Sequence, residues 1–200
     1  MYNSENRYYL ERGIAYMEKM KKALTKPEKW ILMGIPAIFL LGSVTHFIYE
    51  LTGGNTIVGM LAPVNESVWE HLKLLLMPII LWWGLYYLLS KTNYGINGGK
   101  WWSGALVSLL VGMAVSPLLF YFYTNAFGIE NVIIDILISL AAVTAGQLAG
   151  LCVYRNGGIN MVFALAGLAF VAALFIIFTF STPHLPIFLD PVTGTYGING

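Results

Sequence analysis

Residues 160–180 read NMVFALAGLAFVAALFIIFTF, with no charged side chain anywhere in the run. As an α-helix rising 1.5 Å per residue, a stretch of this length spans about 30 Å, the hydrocarbon thickness of a bilayer. Four more apolar runs of comparable length precede it, at about 30 to 51, 68 to 89, 102 to 124 and 132 to 154. The chain is 58% hydrophobic and only 10% charged, with a mean hydropathy of +0.70. Soluble domains hold roughly 45–50% apolar and about 25% charged residues. These values predict an all-α integral membrane protein, a five-helix transmembrane bundle passing several times through the cell membrane. The lipid bilayer is its expected partner and nucleic acid is not.

Lysine and arginine set the expected orientation. Arg7, Arg12, Lys19, Lys21, Lys22, Lys26 and Lys29 precede the first run, Lys91 and Lys100 flank the second turn, and Arg155 follows the fourth run. If the five helices alternate, these ten residues share one side, which puts the N terminus in and the C terminus out. Lys73 alone falls near the outer face. Three segments follow: a basic cytoplasmic stretch over 1–29, the bundle over 30–180, and an extracytoplasmic proline-rich tail over 181–200. The first 29 residues mix apolar and basic side chains, as an interfacial helix or a disordered basic tail would, and do not resemble a cleavable signal peptide. Pro183, Pro186 and Pro191 forbid a sixth helix in the tail, whose apolar residues suggest a lid over the outer mouth. Trp and Tyr near the ends of the first four runs fit interfacial belts.

Other features concern packing. Gly104, Ser108 and Gly112 in the third run, and Ala142, Gly146 and Gly150 in the fourth, follow the small-xxx-small spacing that lets helices approach closely. Pro36, Pro78 and Pro117 are expected to kink the first three helices. Cys152 is the single cysteine, so no intrachain disulfide can form.

The chemistry concentrates between the first two runs. Residues 62–73 read APVNESVWEHLK, placing ionisable groups where a helix enters the membrane, a costly location. His46 and Glu50 lie at the end of the preceding run, four residues apart on one helix face. Two imidazoles and several carboxylates from adjacent helices suit a divalent metal such as zinc, manganese or iron. The expected ligands are His46, Glu50, Glu70 and His71, with Glu66, Glu70 and Lys73 as catalytic groups and His184 completing or orienting the shell. His71 is about 100° round the helix from Glu70, so both share a centre only if the helix end faces inward. The plainer alternative is capping: Ser67 and Glu70 form a capping box, or Asn65 caps with Val64 and Trp69 as a hydrophobic staple. Glu50 paired with Lys73 would then be a register-setting salt bridge.

The run HFIYELTGGNTIVGMLAPVNESVWEHLKLLLMP, His46 to Pro78, and the closing PHLPIFLDPVTGTYGI, Pro183 to Ile198, resemble a family of uncharacterised bacterial membrane proteins, a domain of unknown function. Its pattern is similar to HFxYEWxGxNxxVGxxxPVNESVWEHLKLLFxP, with Leu51 standing where the family often has Trp. The resemblance implies the fold and topology and no activity. Three functions follow as expectations. One is a metal-dependent hydrolase or transferase acting on lipid or envelope material at the outer leaflet. Another is a non-catalytic membrane or accessory protein whose polar cluster fixes helix register. The third is a cation or proton carrier, for which the inner halves of the helices offer only scattered polar groups.

Overall fold

The short connections between the long helices are written in glycine and asparagine. Gly95 and Gly128 end their helices with φ of 56° and 64°, a left-handed conformation that costs little only without a Cβ. Asn97, Asn131 and Asn160 then cap the next helices, accepting from the backbone N–H groups of Lys100, Ile133 and Val162 at 3.0, 2.9 and 2.9 Å. A helix stop followed within four residues by a helix start leaves room only for tight reversals.

The result, in a computed structural model that describes residues 24–198 (and side chains except 91–94), is five helices: α1 (Lys26–Leu51), α2 (Lys73–Tyr94), α3 (Gly98–Phe127), α4 (Val132–Asn156) and α5 (Met161–Phe180). Each is long and apolar enough to cross a membrane. The described residues form no β-strand; an isolated bridge joins Leu189 to Tyr196 in the tail. Single helical turns at Thr56–Gly59 and Val68–His71 lie between α1 and α2, and a 3-10 turn, Pro186–Phe188, follows α5. The expectation for residues 1–29 lies largely outside the described residues. Within them α1 begins at Lys26, earlier than composition suggests, because Thr25 and Glu28 form a reciprocal capping box.

Helix α1 packs against α2 and α4, and α3 packs against α2, α4 and α5. Four helices thus close a ring, with α5 outside it. The two small-residue stripes meet face to face. A Cβ at Gly104 would sit 2.9 Å from the carbonyl of Gly150, one at Gly150 would sit 2.6 Å from the carbonyl of Gly104, and one at Gly146 would collide with the carbonyl of Ser108. Between the stripes Gln147 donates from Nε2 to Ser108 Oγ at 2.6 Å, with both side chains buried. Such close backbone approach compensates for the weak hydrophobic drive between helices in lipid.

Several of the tryptophans expected in an interfacial belt brace the bundle from within. Trp83 and Trp101 are fully buried, and Trp101 Nε1 donates to the carbonyl of Trp83 at 2.9 Å. Trp30 and Trp82 stack at 4.2 Å and exchange bonds with each other's carbonyls at 3.1 and 3.0 Å. Large apolar side chains such as Leu88, Phe163 and Phe170 are exposed on the helix surfaces, as a lipid environment permits and water does not favour.

Candidate metal centre

The segment from Asn65 to Lys73 folds as a tightly capped turn. Asn65 Oδ1 accepts from the Ser67 N–H at 3.0 Å, and Ser67 Oγ accepts from the Glu70 N–H at 3.3 Å. Ser67 is therefore the N-cap of the Val68–His71 turn, and Glu66 lies just outside it. At Leu72 the hydrogen bonds shorten to i→i−3, from Leu72 N–H to Trp69 and from Leu75 N–H to Leu72, a 3-10 step before α2 begins. This geometry sends consecutive side chains to different places.

One face carries Glu66 and His71 toward the end of α1. His71 Nε2 lies 3.1 Å from His46 Nε2, and Glu66 Oε2 lies 3.4 Å from His71 Nε2 and 3.8 Å from His46 Nε2. A metal with bonds of about 2.0–2.1 Å to tetrahedral ligands separates neighbouring donor atoms by about 3.3–3.4 Å. The observed triangle brackets that value. The tautomer of His71 is also fixed in the sense metal binding needs. Its Nδ1 lies 3.0 Å from the Ser67 carbonyl, and a carbonyl only accepts, so Nδ1 carries the proton and Nε2 of the neutral ring offers a lone pair. Two histidines and one carboxylate, with a further position open, are the donor set of hydrolytic zinc sites and of non-haem iron sites.

The other face carries Trp69, Glu70 and Lys73 into the protein. Lys73 is wholly buried and Glu70 is 2% exposed. Lys73 Nζ donates to Glu70 Oε2 at 2.6 Å, Gly59 O at 2.7 Å and Thr179 Oγ1 at 2.7 Å, with Ala62 O at 3.4 Å. Glu70 Oε2 also accepts from the Val64 N–H at 3.0 Å, and Oε1 accepts from the Thr179 hydroxyl at 3.3 Å. This knot ties the α1–α2 connection and the end of α5 to the start of α2. Trp69 packs against Phe175, Phe178 and Phe188, which holds the tail on the bundle. Asn65 Nδ2 adds a bond to Gly197 O at 3.2 Å.

Of the expected ligands the structure therefore brings together His46 and His71, and joins to them Glu66, expected as a catalytic group. It does not bring Glu50 or Glu70 there. Glu50 is exposed at the end of α1, and Lys73 pairs with Glu70, not with Glu50. His184 packs against Tyr196 with ring centres 4.6 Å apart and the planes tilted by 38°, outside the group of three. Thr179 was missed in the sequence; its signal is a lone hydroxyl in the otherwise apolar end of residues 160–180.

The triad borders an open cavity of about 600 Å³ lined by residues of α1, α2, α3 and α4, within the size range of ligand sites. Its walls are largely apolar, formed by Phe39, Phe47, Leu74, Phe120 and Ile136 among others, with Pro191 and Val192 of the tail at one side.

No curated protein and no solved structure matches the chain. Residues 19–198 match the Family of unknown function (DUF6512), and the chain belongs to that family.

Proposed function

We propose that His46, Glu66 and His71 bind one divalent transition metal, and that the protein is a membrane enzyme using it for hydrolysis or group transfer on an amphiphile. The single observation that supports this best is the convergence of three donor atoms within 3.8 Å at the wall of an apolar cavity large enough for a ligand. A purely structural metal site has its shell closed by four protein ligands; three leave a position for water or substrate. Held by His46, Glu66 and His71, a metal would supply Lewis-acid chemistry, activating water near neutral pH or polarising a carbonyl or phosphoryl oxygen. Apolar walls on the cavity side of the triad lower the local dielectric there, which strengthens electrostatic contacts to a bound group. With the lysine-rich end in the cytoplasm, the site faces the outer leaflet, where amphiphilic substrates enter sideways from the lipid.

Glu70 and Lys73 have a different part in this reading. Lys73 is bonded to Glu70, Thr179 and the Gly59 carbonyl, and Glu70 to Lys73 and the Val64 N–H, with both side chains buried away from the triad. They hold the frame on which His71 and Glu66 are mounted.

The test is hydrolysis of a total lipid extract by the purified protein, followed by chromatography of released head groups and chains. Products that vanish with a chelator and return with zinc, manganese or iron are expected, as is their absence with His71→Ala. Release that is indifferent to chelator, or no release from a protein that retains its metal, overturns the enzymatic reading.

A further inference from the structure

The cavity's shape and charge restrict what fits it. Its lining runs from Phe39 to Phe47 on α1 and from Val132 to Ala142 on α4, distances of about 12 and 15 Å at 1.5 Å per residue. That is about half of a 30 Å hydrocarbon core, the depth of one leaflet and of one lipid chain. The polar end carries the His46, Glu66 and His71 triad and, beside it, two further carboxylates. Glu66, Glu130 and Asp135 line it, and no lysine or arginine does among the described residues. Lys73, the nearest basic residue in sequence, is buried and occupied by Glu70. Glu66 is assigned to the metal, which leaves the exposed Glu130 and the half-buried Asp135 without a partner cation among the described residues.

Asp135 is aimed deliberately. Tyr123 donates its hydroxyl to Asp135 Oδ1 at 2.6 Å and accepts the Asn131 N–H at 3.2 Å, so one carboxylate oxygen is held and the other has no bonding partner among the described residues. Asp135 also fills the first turn of α4, so the helix N terminus already has its anion. Away from the metal triad an anionic head group would meet two carboxylates, with no arginine or lysine among the described residues to receive it, whereas an ammonium group finds both charge and acceptors there.

We infer that the cavity binds a long-chain amphiphile bearing an amine, its hydrocarbon chain between α1 and α4 and its ammonium at Glu130 and Asp135. This names the substrate class for the enzymatic reading above and rests on it. The test measures thermal unfolding of the full chain in a neutral detergent, with a chelator present so that no metal receives the phosphate, against dodecylamine, dodecanol or dodecyl phosphate, three probes sharing one chain. Dodecylamine is expected to stabilise saturably at the lowest concentration and dodecyl phosphate at the highest. Glu130→Gln with Asp135→Asn, which keep size and the Tyr123 bond, should weaken dodecylamine about tenfold, the worth of roughly one charge contact, and leave dodecanol unchanged. Equal binding of the phosphate, or dodecylamine binding untouched by the double substitution, overturns the inference. The metal content of the wild-type chain separates the two readings. Amine preference in a wild-type protein that holds no metal sinks the enzyme and spares the ligand class, while a metal-loaded protein without that preference does the reverse.

Discussion

The ammonium of Lys73 lies 2.6 Å from the carboxylate of Glu70, and both side chains are sealed from solvent. Removing one member of such a pair leaves a buried charge uncompensated, whereas removing both need not. Lys73→Met is expected to destabilise the bundle by roughly 3–5 kcal/mol. Glu70→Leu with Lys73→Met should cost less than either change alone, a coupling that neighbouring groups show and distant ones do not. Thermal unfolding in detergent measures it; additive losses would contradict the knot.

Two glutamates four residues apart are expected to separate stability from metal binding. Glu66 is about half exposed, so Glu66→Gln should change stability by no more than about 0.5 kcal/mol. Its metal affinity should fall by at least the roughly 10–100-fold typical of losing an outer-shell partner. Glu70→Gln should do the opposite, with a clear loss of stability and unchanged metal affinity. Competition with a chromophoric chelator reads one quantity and thermal unfolding the other. Matching behaviour of the two variants would refute the assignment of faces.

The same geometry makes metal binding a contest with protons. With no metal, the 3.1 Å contact between His46 Nε2 and His71 Nε2 needs one proton between them, and the Ser67 carbonyl fixes that proton on His46. For a metal to bind both Nε2 atoms that proton must move to His46 Nδ1, and acid competes for the same lone pairs, since imidazole must be neutral to bind. Metal affinity should therefore fall as pH is lowered, and chelator titrations of the wild-type chain at several pH values measure the decline. Affinity constant with pH would exclude imidazole ligands.

Helix contact gives a prediction free of the site. A Cβ at Gly146 collides with the Ser108 carbonyl, while one at Gly157 meets nothing within 4 Å. Gly146→Ala should cost roughly 1–3 kcal/mol from overpacking. Gly157→Ala, at an extended φ of −179°, should be near neutral. Equal effects would mean that α3 and α4 do not meet along these stripes.

How much of this could be read from the chain alone follows from which interactions are periodic. Five helices were legible because length and apolarity are local properties, and the Gly104 and Gly146 stripes because helical spacing is fixed. The pairing of His46 with His71 was legible too, since antiparallel neighbours bring one helix's end to the next one's start. The carboxylate was not. Glu66 precedes the N-cap Ser67, so its direction obeys no helical period, and it reaches a centre that Glu70 cannot. Glu70 stands about 100° from His71 on the same turn, and that rotation sends it inward to Lys73. Glu50 shares the helical spacing of His46 but lies at the end of α1, where the chain turns away. Thr179 joins the knot across 106 residues from Lys73, a separation on which sequence spacing is silent.

Metal content of the purified protein decides the matter most directly. Elemental analysis of wild-type chain, isolated in detergent without chelators, should find close to one zinc, manganese or iron per chain, and His46→Ala, Glu66→Gln and His71→Ala should each lose it while Glu50→Gln keeps it. A folded wild-type protein that takes up none of these metals on direct titration, or binding unaltered by all three ligand substitutions, would contradict the reading of this triad as a metal centre.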